Sequence, residues 1–224
     1  MEDSIRAKEE QNLNHCLSRI DEIIDEDRLW LETPKPRASV HGEAARFWRQ
    51  RKEQEIENCE GSRPSPYVGR VDFVADDLQD MVQTYYFGKF HIPDFLSITH
   101  PERYVIGFGS DVFKLFVNPL SGKYRAPVGE VTGDVKLKRG FVIRESRLRE
   151  IIEYELPTKE KPAPAEDPSL TRELSKPKGE ELPDIIATIK PEQYEEVAAA
   201  LQQVIIIQGV AGWGRMSIMD TKPF

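Results

Sequence analysis

Leu13, Leu17, Ile20 and Ile24 recur at helical spacing inside a charged, amide-rich stretch, so residues 3 to 31 are predicted to form one long helix with a single apolar face that ends near Trp30 and Leu31. Pro34 and Pro36 in "ETPKPRASVHG" break it. A second helix is predicted from about Glu43 to Glu60, with a thinner stripe of Ala44, Ala45, Trp48, Ile56 and Cys59. Two helices joined by a short proline-containing connection predict an antiparallel hairpin, either a protruding arm or a pair docked on the next domain.

From Arg63 the period changes. "SRPSPYVGRVDFVA" ends the helical region with Pro64 and Pro66 and then alternates Val68, Arg70 and Asp72 against Tyr67, Val71 and Phe73 in strand fashion. Further strands are expected in "QTYYFGKFHI", "RYVIGF", "VFKLFVN", "VTGDVKLKRGFVIR" and "LREIIEYEL", with "NPLSGKY" and "APVGE" as hairpin connections. The expectation is a small antiparallel sheet or barrel. Val135, Leu137, Phe141 and Ile143 are its candidate core positions, and Lys136, Lys138, Arg139 and Arg144 a candidate basic face whose ordinary role is solubility.

Residues 156–183 hold six prolines and hardly any apolar side chain, which predicts a linker with a short helix near Ser169 to Leu174. Beyond it, a helix is expected from about Pro191 to Gln203 and a buried strand in "VIIIQ", residues 204–208. The chain thus divides into a helical arm (1–62), a β domain (63–155), the linker (156–183) and a second α/β segment (184–224). The fold class is α+β.

Composition narrows the chemistry. A net charge of -8 argues against broad attraction to nucleic acid phosphates, so any such contact must be local. Cys16 and Cys59 have no second Cys or His at ligand spacing and read as reduced, buried thiols. With a charged amino terminus and no run near the roughly 20 apolar residues of a membrane span, the expected location is the cytoplasm, away from membranes. Asp21, Glu22, Asp25, Glu26 and Asp27 place five carboxylates within seven residues. Such a cluster is ordinarily a solvated helix face, and its functional reading is an offer to a cationic or metal-containing partner. No metal-ligand set and no catalytic constellation emerges.

"GVAGWG", Gly209 to Gly214, followed by Arg215, has the form of a phosphate-binding loop after an apolar strand. In such loops backbone N–H groups curl around phosphates, a lysine reaches the terminal phosphates and a hydroxyl holds Mg²⁺. Here Arg215 occupies the lysine position and Met216 the hydroxyl position, while Ser217 comes one residue late. A planar guanidinium does not fill the space of a compact ammonium, and a thioether is a poor ligand for hard Mg²⁺. The loop is expected to be disabled for hydrolysis.

Three blocks together resemble the HelD-like proteins, helicase-related ATPases of superfamily 1, akin to UvrD and Rep, that bind bacterial RNA polymerase. They are "SPYVGRVDF" (Ser65 to Phe73), "YRAPVGEVTGDVKLKRGFVI" (Tyr124 to Ile143), and "IIATIKPEQ" with "VIIIQGVAG" (Ile185 to Gly212). The resemblance implies an N-terminal helical arm that enters a channel of RNA polymerase, a β domain, and the start of a RecA-like domain that uses ATP and Mg²⁺ to act on DNA. It implies that Gln193 reads the adenine edge, that Gly209, Gly212 and Gly214 form the phosphate loop, and that Arg215 and Met216 stand for its lysine and threonine.

The departures are specific. "GFGSDVFKLFV" replaces an expected Asp-Trp-Arg-Ala-Pro block, and the arm's turn carries Lys35 and Arg37 rather than an acidic tip. After Ile218, "MDTKPF" stands where the family continues a long helix. Without further strands, Val204 to Ile207 is expected to be poorly ordered. Three readings result: the N-terminal part of a HelD-like ATPase with a degenerate loop, a stand-alone non-enzymatic RNA polymerase-binding regulator, and an ATPase fragment completed by another polypeptide.

Overall fold

The structure is a computed structural model, and it describes residues 2–33, 42–78, 81–93, 103–127 and 129–156. Its elements are helices α1 (Glu2–Glu32) and α2 (Gly42–Ser62), then strands β1 (Gly69–Ala75), β2 (Val82–Gly88), β3 (Ile92–Pro93) and β4 (Arg103–Gly107). Helix α3 (Lys114–Val117) comes next, flanked by two 3-10 turns, and then β5 (Lys123–Ala126), β6 (Gly129–Arg144) and β7 (Arg147–Glu153). The class is α+β, as expected. The described residues fall into two units. One draws on Met1–Val68, Tyr86–Gly107 and Phe141–Ile151, the other on Gly69–Tyr85, Phe108–Gly140 and the stretch from Ile152.

In the first unit, the apolar face of α1 is the floor of the core. Leu13, Cys16, Ile20, Ile23 and Ile24 pack with Cys59 of α2 and with Tyr67, Tyr86, Ile92, Val105, Phe141, Ile143 and Leu148. The Tyr67 ring lies 4.8 Å from that of Tyr86 and meets Phe141 edge-on at 5.3 Å. Thus the helix predicted for residues 3 to 31 is docked along its first two-thirds. The sheet is not purely antiparallel as expected: β2 and β4 run parallel, Tyr86 opposite Val105 and Gly88 opposite Gly107, while β3 pairs antiparallel with β4. Alternating hydrophobicity encodes which face a side chain takes but not which way its neighbour runs, and a parallel pair needs a long crossover, here residues 89–102.

The second unit is built on β1 and β6, antiparallel from Gly69 opposite Gly140 to Ala75 opposite Gly133, with an irregularity between Asp72 and Phe73. β5 extends it, antiparallel to β6, as the "APVGE" connection predicts. Its core holds Val71, Phe73, Phe113, Leu115 and Phe116. "VFKLFVN" is not the expected strand. It folds as a 3-10 turn running into α3, because Phe113 and Phe116, three residues apart, both turn inward and stack at 5.7 Å. Likewise "NPLSGKY" is a 3-10 turn ended by left-handed Gly122. Of the predicted core positions, Phe141 and Ile143 are buried, whereas Val135 and Leu137 are half-buried.

Candidate functional site

The helical hairpin is fastened to strand residues of the first unit. α1 is about 46 Å long at 1.5 Å per residue. Its first half is fastened by polar contacts as well as by packing. The Arg6 guanidinium donates to the Leu148 carbonyl at 2.8 Å. Glu9, 1 % exposed, accepts from the Tyr86 hydroxyl at 2.8 Å, and Asn12 donates to that hydroxyl at 2.6 Å. Arg19 is buried; its Nε donates to the Pro93 carbonyl at 3.1 Å and its Nη1 to Glu22 at 2.6 Å.

Beyond Ile24 the only buried residue of α1 is Asp27, and before Cys59 none of the described side chains of α2 is buried. These ends contact chiefly each other. Lys52 pairs with Asp27 at 2.6 Å, Arg28 with Glu60 at 2.6 Å, and Arg63 grips Asp21 through Nε and Nη2 at 2.9 and 3.0 Å. Among the described residues the result is a two-helix prong, anchored in the core at one end and with largely exposed side chains at the other. Thr33 closes α1 by donating from N and Oγ1 to the Leu29 carbonyl.

Most of the clustered carboxylates are engaged inside the protein. Asp21 pairs with Arg63, Glu22 and Glu26 with Arg19, and Asp27 with Lys52, leaving Asp25 exposed. The hydrogen bond from Arg63 holds the Asp21 carboxyl below its usual range. Burial raises the Asp27 carboxyl, against the pull of Lys52. Burial tends to lower the Lys52 ammonium, but its bonds to Asp27 and Glu55 outweigh that and raise it. Burial lifts both thiols, Cys59 to about 11 and Cys16 further, so neither forms a reactive thiolate near neutral pH. Among the described residues no group of His, Cys, Asp and Glu could hold a metal ion.

The basic face of β6 is similarly spoken for. Lys136 bonds Asp134 at 2.9 Å, and Arg139 pairs with Glu153 at 2.8 Å. Lys138 lies over the rings of Phe116 and Tyr154, at 4.6 and 4.5 Å. These cations brace the second unit. Gln193, Gly209, Gly212, Gly214, Arg215 and Met216 lie outside the described residues, as do the linker from residue 157, the helix expected at 191–203 and the strand at 204–208.

A family model for the N-terminal domain of DNA helicase IV HelD matches residues 6–166. The chain belongs to the HelD N-terminal domain family. The match spans nearly all of the described chain. It begins at Arg6, whose side chain ties α1 to β7, and includes the hairpin and every strand. Two of the HelD-like blocks also have a physical role. In "SPYVGRVDF", Tyr67 is a centre of the aromatic core and Gly69 leaves room for the Phe116 ring. In the block from Tyr124 to Ile143, a side chain at Gly133 would strike the Val74 carbonyl and the Phe73 ring. A comparison with curated proteins gave no match. No helix among the described residues is long and apolar enough to cross a membrane.

The polar members of the buried face, Glu9, Arg19 and Asp27, were not anticipated from the sequence. A signal for two of them was present. Glu9, Leu13, Cys16, Ile20, Ile23 and Asp27 alternate steps of four and three, so a carboxylate closes the apolar stripe at each end.

Proposed function

We propose that this HelD-family chain is an RNA polymerase-binding module that engages its partner with the free end of the α1/α2 prong, and that it does not hydrolyse ATP by itself. The observation that carries the reading is a prong anchored by buried bonds at one end, whose described residues at the other end are largely exposed, inside the segment matched to the HelD N-terminal domain. The first turns of α2 keep Phe47 and Trp48 in water, so the chain gains little folding energy from them. Such exposure is understandable when a partner covers the surface. The HelD resemblance supplies the partner, RNA polymerase, with DNA as the polymer on which it works.

The nucleotide side of the reading rests on the chemistry of the donor set. Arg215 and Met216 give a bidentate cation and a soft thioether where Mg²⁺ and a triphosphate need a compact ammonium and a hydroxyl. Those residues do not fit the ion, and we derive no step through it. Gln193 keeps an amide able to donate and accept at an adenine edge. Titration calorimetry with ATP and Mg²⁺ is expected to show no magnesium-dependent binding. Binding that disappears in Gly214→Asp would contradict this part of the proposal without touching the polymerase part, which pull-down of purified RNA polymerase by the full chain tests directly.

A further inference from the structure

Asp27 lies in the outer half of α1, where Asp25, Glu26, Arg28 and Leu29 are all exposed, yet its side chain keeps only 5 % of its surface in water. It meets the face of α2 that carries Lys52, Glu55 and Cys59 at helical spacing. The Lys52 ammonium lies 2.6 Å from Asp27 Oδ1 and 3.2 Å from Glu55 Oε2, so one cation is held between two carboxylates. These are the two charges that act on Asp27, and both come from α2. Cys59 lies against the same pair as a neutral thiol, near Arg19 and Glu60, which pair in turn with Glu22 and with Arg28.

One hydrogen is missing from this cluster when both carboxyls are ionised. The ammonium supplies Asp27 Oδ1 and Glu55 Oε2, but Asp27 Oδ2 is buried and no described residue donates to it. The group with which Asp27 forms a further hydrogen bond is the Glu55 carboxyl. Two carboxylates have no hydrogen to share, so a bond between them contains a proton that one of them has taken up. With that proton the cluster is neutral and Oδ2 is satisfied. Without it, two anions share one ammonium, and a buried oxygen is left without a donor.

We propose that Asp27 and Glu55 share one proton across the hairpin, and that this proton makes the outer α1/α2 contact a pH-sensitive joint, tight with the proton bound and loosened by its loss. Burial raises the Asp27 carboxyl; Lys52 pulls it down, and the charge and hydrogen bond of Glu55 raise it again. A raised carboxyl binds its proton more tightly in the folded chain than in the unfolded one. The joint's contribution is therefore whole at and below the ordinary carboxylate range and is lost as pH rises through the raised value. Asp21, held low by Arg63, responds in the opposite sense, so acid tightens the outer contact while it weakens that one. The joint is a property of this chain and does not depend on what the prong binds.

Carboxyl-carbon NMR of the isotope-labelled full chain tests the proton directly and needs no variant. The Asp27 midpoint is expected above the ordinary aspartate value of about 3.9, and a midpoint at or below that value would overturn the proposal. Hydrogen exchange tests the joint. Protection of the amides in residues 48–58, corrected for the intrinsic rate at each pH, is expected to fall several-fold between about pH 4 and about pH 8 in the native chain. Asp27→Asn and Glu55→Gln each put an amide N–H where the shared proton was, so protection in these variants is expected to stay level. They act from opposite helices, so either one suffices if the other fails to fold. Equal pH profiles in the native and variant chains would overturn the proposal. So would protection that rises with pH in the native chain alone, which would mark Asp27 and Lys52 as an ordinary ion pair.

Discussion

Glu9 shows how a buried carboxylate can hold a helix in place. It accepts from Tyr86, which in turn accepts from Asn12, so one strand residue is bonded to two successive turns of α1. Removing the hydroxyl leaves a buried acceptor short of a donor. Tyr86→Phe is accordingly expected to destabilise the protein by about 1.5–3 kcal/mol, as for a hydrogen bond to a carboxylate, read from the urea midpoint. An unchanged midpoint would mean that the bond is decorative. Asp21 gives a pH signature of known sign. Its carboxyl is held low by Arg63, so the pair contributes stability above the ordinary carboxylate range and loses it as pH falls through the lowered value. The difference in melting temperature between the native chain and Arg63→Gln should therefore shrink toward acid. Because Asp21 is half exposed, the effect will be small. A difference that is constant with pH would remove Asp21 from the explanation. At this scale the apolar half of the helix face was legible, with Leu13, Ile20 and Ile24 where the spacing put them, but its polar members were not. A buried Glu or Arg has the composition of a surface residue and reveals itself only through partners distant in the chain, such as Tyr86 and Pro93.

Between elements, the pair Asp27 and Lys52 joins the exposed halves of α1 and α2. Asp27 is buried and Lys52 only partly, so loss of the lysine strands a carboxylate in a poorly solvated place. Lys52→Met is expected to destabilise by about 1–3 kcal/mol, less than the roughly 3–5 of a fully buried pair, and Asp27→Asn/Lys52→Met to recover much of the loss. Strict additivity in the double-mutant cycle would contradict this coupling. The hairpin itself was readable from two helical periods flanking Pro34 and Pro36. The β6/β7 turn was much less so. Glu145 and Ser146 adopt φ of 51° and 60°, values usually given to Asn or Gly, and the turn is held because Ser146 donates from N to the Pro64 carbonyl and from Oγ to the Arg63 carbonyl. The parallel β2/β4 pair escaped because it joins residues far apart in sequence, which local alternation does not record, and the short helix α3 because its inward Phe113 and Phe116, three residues apart, lie inside an apolar run that also reads as a strand.

For the whole molecule, family membership was visible in blocks whose glycines leave room for aromatic rings and carbonyls, at Gly69 and Gly133. The candidate nucleotide residues were legible as a motif and as departures from it, through Arg215 and Met216. The proposed function stands or falls with the prong. Asp27 and Lys52 face each other across the hairpin, so residues 28–51 can be replaced by a short glycine linker that rejoins facing ends and leaves the anchored half intact. The sharpest test is biolayer interferometry of immobilised RNA polymerase against the full chain and this shortened chain, both checked for a native circular dichroism spectrum. Saturable binding by the full chain is expected, with at least a tenfold loss, about 1.4 kcal/mol, on shortening. Equal affinities of the two chains, or no binding by either, would refute a role for the prong in holding the polymerase.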